Sequence, residues 1–189
     1  MAISQRLKTL ENERPRIEFL TSDFSRAWET ATIVHEGLAG LSPTLEVEAS
    51  LRERWVLLQA RYRKQLSCNT AQHAHARDTP YRSFGTWDGH PDTNYEQTWR
   101  VDKSDPFHEQ DGVESCANVQ KRTTALIARL EDAASPTPRV YVLVSHGDAL
   151  QILQTGFLKM DPGQHRSLPH MTNCEVRRVT LDSQNGSAP

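Results

Sequence analysis

RVYVLVSHGDALQILQTGF, residues 139–157, is the stretch whose reading decides the fold. Val140, Tyr141, Val142, Leu143 and Val144 form a short apolar run rich in β-branched residues, the pattern of a strand buried on both faces. Ser145, His146 and Gly147 follow, where a strand has to turn. Asp148, Ala149, Leu150, Ile152, Leu153 and Phe157 then recur at helical spacing, with acidic Asp148 in the first turn, where it suits the helix dipole. His146 is thereby expected at the carboxyl end of a central strand, beside a helix N-terminus. Open α/β sheets bind ligands in that crevice. The N–H groups and dipole of the helix favour an anion such as phosphate, and Gly147 lets the backbone approach it closely. Taken alone, the same pattern equally describes a histidine that caps or packs at a sheet edge.

Upstream, IEFL (residues 17–20) is a strand candidate, and Thr21, Ser22 and Asp23 offer an N-cap to a helix over 24–38. Ala27, Thr30, Ala31 and Val34 share one face of that helix, and Gly37 or Gly40 stops it. Arg26 falls in its first turn. A cation opposes the dipole there, so the placement is tolerable where Arg26 meets an anion; a solvated surface arginine is the plainer alternative. Leu45, Val47 and Ala49 alternate as a second strand. Leu51-Arg52-Glu53-Arg54 then sets a carboxylate between two arginines, which also reads as a charged loop.

Residues 56–83 differ in character: basic at first, then rich in Asn, Thr, Ala and His, with no sustained periodicity. His73 and His75, with Cys68 and Asp78, match no zinc-ligand spacing, and a mobile excursion is expected. A turn-rich aromatic segment (84–90), a short helix (95–101), a loop (103–113) and a helix over 114–131 with Val119, Leu126, Ile127 and Leu130 as its stripe lead to the opening stretch. A loop over 160–171, a last edge strand over 174–181 and a frayed tail from 184 follow. Strands alternating with helices predict an α/β fold, a mostly parallel sheet flanked by helices on both faces.

At 189 residues the chain is expected to be one domain, 1–189, carrying the excursion as a flexible insertion. A net charge of −2, with Lys and Arg spread along the sequence, gives no nucleic-acid footprint. The scattered cysteines Cys68, Cys116 and Cys174 suggest reduced thiols. No signal-like core or membrane-length apolar run is visible. A cytoplasmic protein without membrane or nucleic-acid partners is expected; oligomeric state is not legible.

Four segments together resemble the histidine phosphatase superfamily, the phosphoglycerate mutase-like proteins: LTSDFSRAWETA (20–31), LRER (51–54), GVES (112–115) and VLVSHGDALQ (142–151). The resemblance implies phosphomonoester hydrolysis through a phosphohistidine. Arg26, His146 and Gly147 would bind phosphate, with His146 the second pocket histidine, and Glu53 would be the general acid and base. No metal or cofactor is implied, and a small phosphorylated metabolite is the implied substrate class. FGTWDG (84–89) looks more like the phosphatase branch than the mutase branch, although a phosphoglycerate mutase remains an alternative. A serine hydrolase using Ser145 or Ser115 would lack the G-x-S-x-G elbow.

Two departures stand out. The family's nucleophile lies in an Arg-His-Gly motif after its first strand, and this sequence contains no such motif; only His146 of its eight histidines precedes a glycine. The expectation is a chain without that first strand, N-terminally truncated, and therefore either inactive or a pseudoenzyme that binds phosphate weakly. Second, deleting 56–83 would give LRERWFGTWDG, closely family-like, which marks 56–83 as an insertion between Glu53 and the segment expected to orient it.

Overall fold

The computed structural model describes residues 15–54, 95–133 and 137–179. The insertion at 56–83, the aromatic segment at 84–90 and the tail from 184 lie outside them. Among the described residues, strands β1 (Arg16–Thr21), β2 (Thr44–Val47) and β3 (Arg139–Val144) form one parallel sheet in the order β2-β1-β3. Helix α1 (Ser25–Glu36) connects β1 to β2. Helices α2 (Tyr95–Ser104) and α3 (Cys116–Asp132) precede β3, and α4 (Gly147–Phe157) follows it. This is the α/β fold with helices on both faces that the alternation predicts.

The period-2 direction of strand side chains sorts the core into two layers. Ile17 and Phe19 of β1 pack with Leu38, Val34, Val140, Val142 and Val144 on the α1 face. Leu20 packs with Leu51, Leu126, Leu130, Tyr141 and Leu143 on the α3 face. A third cluster, Cys116, Val119, Ala149 and Ile152, joins α3 to α4.

Several boundaries differ from the sequence reading, each for a local reason. β3 feeds both core layers, yet all six of its residues are only half-buried. β1, not β3, is the middle strand among the described residues, and the outer edge of β3 has no described partner. None of Thr21, Ser22 and Asp23 caps α1, whose N-cap is Phe24. Ser22 instead continues the sheet through its N–H to the Val144 carbonyl at 3.0 Å, and Asp23 is paired with Arg52. β2 stops at Val47 because the Glu48 carboxylate accepts the Ser50 N–H at 2.8 Å and turns Ala49–Leu51 into a 3-10 turn. α3 starts at Cys116 because the Ser115 hydroxyl caps it, accepting the Asn118 N–H.

The expected last strand does not form within its described residues, up to Val179. Cys174 adopts a left-handed conformation, with φ of 60°. The Arg177 guanidinium folds back onto the carbonyls of Pro169 and His170. The loop expected over 160–171 contains a 3-10 segment, Pro162–Ser167, opened by the Asp161 carboxylate accepting the Gly163 N–H at 2.7 Å. A Cβ on Gly163 would lie 2.3 Å from the Asp102 carbonyl oxygen, so this contact with α2 needs glycine. Among the described residues no helix is long and apolar enough to cross a membrane.

Candidate functional site

The three strands end level with one another, at Thr21, Val47 and Val144. Their carboxyl ends therefore deliver three chain segments to one edge of the sheet: residues 22–26 after β1, 48–54 after β2 and 145–148 after β3. The sequence-predicted residues Arg26, Glu53 and His146 arrive from these three segments and meet. The Arg26 Nη2 and His146 Nδ1 atoms each lie 3.8 Å from Glu53 Oε2. The Arg26 side chain is 42% exposed, so the cation reaches solvent while the Glu53 and His146 side chains stand behind it, buried.

His146 is held from two further sides. Its Nε2 lies 3.0 Å from the Ser22 hydroxyl, and the Phe24 ring meets the imidazole edge-on at 5.1 Å between centroids. The Arg26 guanidinium lies over the same phenyl ring, 5.2 Å from its centroid. His146 is also the N-cap residue of α4, so the N-terminal N–H groups of that helix open at the same edge. Gly147 is there as predicted, but its steric reason differs: a Cβ would meet nothing closer than the Met171 carbonyl at 3.9 Å, an ordinary contact. Nothing among the described residues requires a glycine at position 147.

The cations near Glu53 do not outweigh its burial. Burial, and then the nearby Asp148 carboxylate, push its carboxyl up to about 7, while Arg26 and Arg54 pull weakly the other way. A carboxyl in that range exchanges its proton at neutral pH, as a general acid and base must.

Behind Glu53 lies a buried charge cluster. Arg54 is 1% exposed and donates bidentately to Asp102, at 2.7 and 2.8 Å, with a third contact to Asp148 at 3.4 Å and its Nε to the Glu114 carbonyl at 3.0 Å. Burial opposes the guanidinium charge, but the two carboxylates more than offset it and Arg54 is held protonated. Burial likewise opposes charge on Asp148, yet His165 and Arg54 hold that carboxyl down at about 2. Trp99 Nε1 donates to Asp148 at 3.1 Å, and the Arg166 guanidinium stacks 3.7 Å above the indole.

Asp102, Cys116 and His165 bring potential metal-ligand atoms within 4.8 Å of one another. The donors are committed elsewhere, however. Both Asp102 oxygens bind Arg54, one of them also His108, and burial together with Asp102 pushes the Cys116 thiol up to about 12.

Sequence reasoning singled out Arg26, Glu53, His146 and Gly147, and the fold brings them to one edge. It did not assign a site role to Ser22, Arg54, Asp148 or Arg122. A faint signal existed for Arg54 in the RER triplet, but nothing there distinguishes it from Arg52, which pairs with Asp23 near the surface. Ser145 and Ser115 are engaged structurally: Ser145 donates its hydroxyl to the Leu51 carbonyl at 2.6 Å, and Ser115 caps α3.

A family model described as the histidine phosphatase superfamily (branch 1) matches residues 81–188, which include His146 but neither Arg26 nor Glu53. No curated protein matches the chain. Among solved structures, a mycobacterial glucosyl-3-phosphoglycerate phosphatase in complex with inorganic phosphate is similar at 22% identity with a TM-score of 0.57, over 88% of this chain and 70% of that one. A second structure, named mycobacterial hydrolase 1, is similar at 22% identity with a TM-score of 0.55, over 88% of this chain and 67% of that one. At such identities the likeness is one of fold.

Proposed function

The chain belongs to the histidine phosphatase superfamily (branch 1), and from that premise we propose that its site is built for phosphomonoester hydrolysis on a small phosphorylated metabolite. Arg26 and His146 hold the phosphoryl oxygens, the N–H groups at the start of α4 add to that field, and Glu53 moves the proton. The observation that supports this reading is the convergence of Arg26 and His146 on Glu53 at 3.8 Å from separate parts of the chain.

In the family's scheme the phosphorus–oxygen ester bond breaks as phosphorus passes to the nitrogen of a nucleophilic histidine, a role to which the resemblance assigns no histidine of this sequence. The protonated Glu53 gives its proton to the departing alkoxide. Water then attacks the phosphohistidine, its proton returns to the Glu53 carboxylate, and phosphate leaves. Fixed cations offset the charge that develops on the phosphoryl oxygens.

A second reading is favoured by one feature of the sequence, the lack of an Arg-His-Gly motif. Without that nucleophile the same groups bind phosphate and transfer nothing. One set of measurements separates the readings: hydrolysis of p-nitrophenyl phosphate by the purified chain beside His146→Ala, with thermal melts in inorganic phosphate. Turnover that falls by at least about a hundredfold in the variant supports hydrolysis. No turnover, with a phosphate-dependent rise in Tm lost in His146→Ala, supports binding alone. Neither turnover nor stabilisation refutes both.

A further inference from the structure

Ser50 and Leu51 close the Ala49–Leu51 turn and Arg52 and Glu53 follow it without regular secondary structure, so the carbonyl groups of residues 50–53 need partners from elsewhere. All four are taken by side chains. Arg122 of α3 donates through Nη1 to the Ser50 carbonyl at 2.6 Å and through Nη2 to the Arg52 and Glu53 carbonyls at 3.0 and 3.2 Å. Ser145 takes the remaining one, that of Leu51. Arg122 is itself fixed by Glu114, whose two carboxylate oxygens accept from Nε and Nη2, each at 3.0 Å. The backbone carbonyl of Glu114 meanwhile receives the Arg54 Nε. Glu53 thus lies between two arginines, Arg54 next in sequence and Arg122 in space, that are both anchored at Glu114.

We propose that Arg122, oriented by Glu114, is the positioning residue for Glu53, fixing the backbone that aims its carboxyl at Arg26 and His146. The proposal rests on the reading of Glu53 as the acid and base. The chemistry favours arginine. Its planar, rigid fork of five N–H donors can span a carboxylate on one side and three carbonyls on the other, whereas a lysine ammonium has three donors at one point. Proton transfer tolerates little displacement, so the residue that fixes the backbone also governs the carboxyl's surroundings.

The test uses the full chain and follows the Glu53 carboxyl by ¹³C NMR, with its signal assigned by loss in Glu53→Gln. In Arg122→Met the Glu53 side chain is expected to relax towards water and titrate at least one pH unit lower than in the parent. Arg122→Lys is expected to fall between the two, a partial rescue by the conserved charge. A folded Arg122→Met in which Glu53 titrates as in the parent overturns the proposal. Where Arg122→Met does not fold, Arg122→Lys alone decides: a lowered titration supports the positioning role and an unchanged one overturns it. This readout is independent of turnover. A parent that releases no phosphate, while Arg122→Met still moves the Glu53 titration, leaves the positioning role standing and the hydrolytic reading refuted.

Discussion

Glu53→Gln should stabilise the fold by an amount that grows as pH rises from about 4.5 to about 7 and is fully present above that. Glutamine keeps the volume of the side chain and an oxygen to accept the Arg54 N–H, 3.3 Å from Glu53 Oε1, but removes the charge. The folded carboxyl titrates at about 7 against an ordinary 4.5. Between those values the native chain holds a proton that the unfolded chain has released, so stability falls as pH rises through that window. A gap of about 2.5 pH units, at about 1.4 kcal/mol for each, costs the ionised native state about 3 kcal/mol above pH 8. The attraction of half-exposed Arg26 at 3.8 Å offsets little of this. Urea unfolding of both chains from pH 4 to pH 9 provides the assay. With m near 2 kcal/mol/M, the midpoint of the variant should exceed that of the parent by roughly 1–2 M at pH 8.5 and converge with it below about pH 4.5. A midpoint difference that stays constant across the range would refute the account of Glu53 as a carboxyl kept neutral by burial and Asp148.

Arg54→Met leaves Asp102 and Asp148 buried without their cation, and should cost about 3–5 kcal/mol in urea unfolding at pH 7; a loss under 1 kcal/mol would contradict the buried ion pairs. Asp148, held at about 2 against an ordinary 3.8, contributes stability that is present above 3.8 and lost as pH falls through 2, about 2 kcal/mol in all. Asp148→Asn should therefore flatten the acid limb of a stability profile, and should also lower the Glu53 titration by removing a nearby negative charge. Gly163→Ala drives a Cβ into the Asp102 carbonyl oxygen and should lower stability by about 1–3 kcal/mol, visible as a fall in Tm.

What the sequence made legible is what local pattern determines. The run from Val140 to Phe157 announces strand, turn and helix because each period is confined to a few neighbouring residues. Arg26, Glu53 and His146 were found through short segments at strand ends, where topology then brings them together. The rest depends on partners far along the chain. Arg52 and Arg54 are chemically alike in sequence; one meets Asp23 near the surface and the other is sealed against Asp102 and Asp148, 48 and 94 residues away. Ser22 has the composition of a helix cap and instead faces His146, because the sheet claims its backbone. Arg122 is one polar residue among several on α3, and nothing in its local spacing marks it. A last strand is expected over 174–181, but within its described residues Arg177 takes carbonyls from the preceding loop and the segment stays irregular.

The capture of the 50–53 carbonyls by Arg122 and Ser145 has a consequence for the order in which the molecule assembles. Those bonds join residues 69 to 94 positions apart, and loop closure over such distances comes late in folding. The local β1–α1–β2 unit closes over far fewer residues. During synthesis that unit can form as soon as β2 has emerged, while the Glu53 segment still lacks both residues that shape it. It acquires its form only when α3 docks and the end of β3 arrives. The meeting of Arg26, Glu53 and His146 is therefore completed last, after the β1–α1–β2 unit that carries Arg26 is already built.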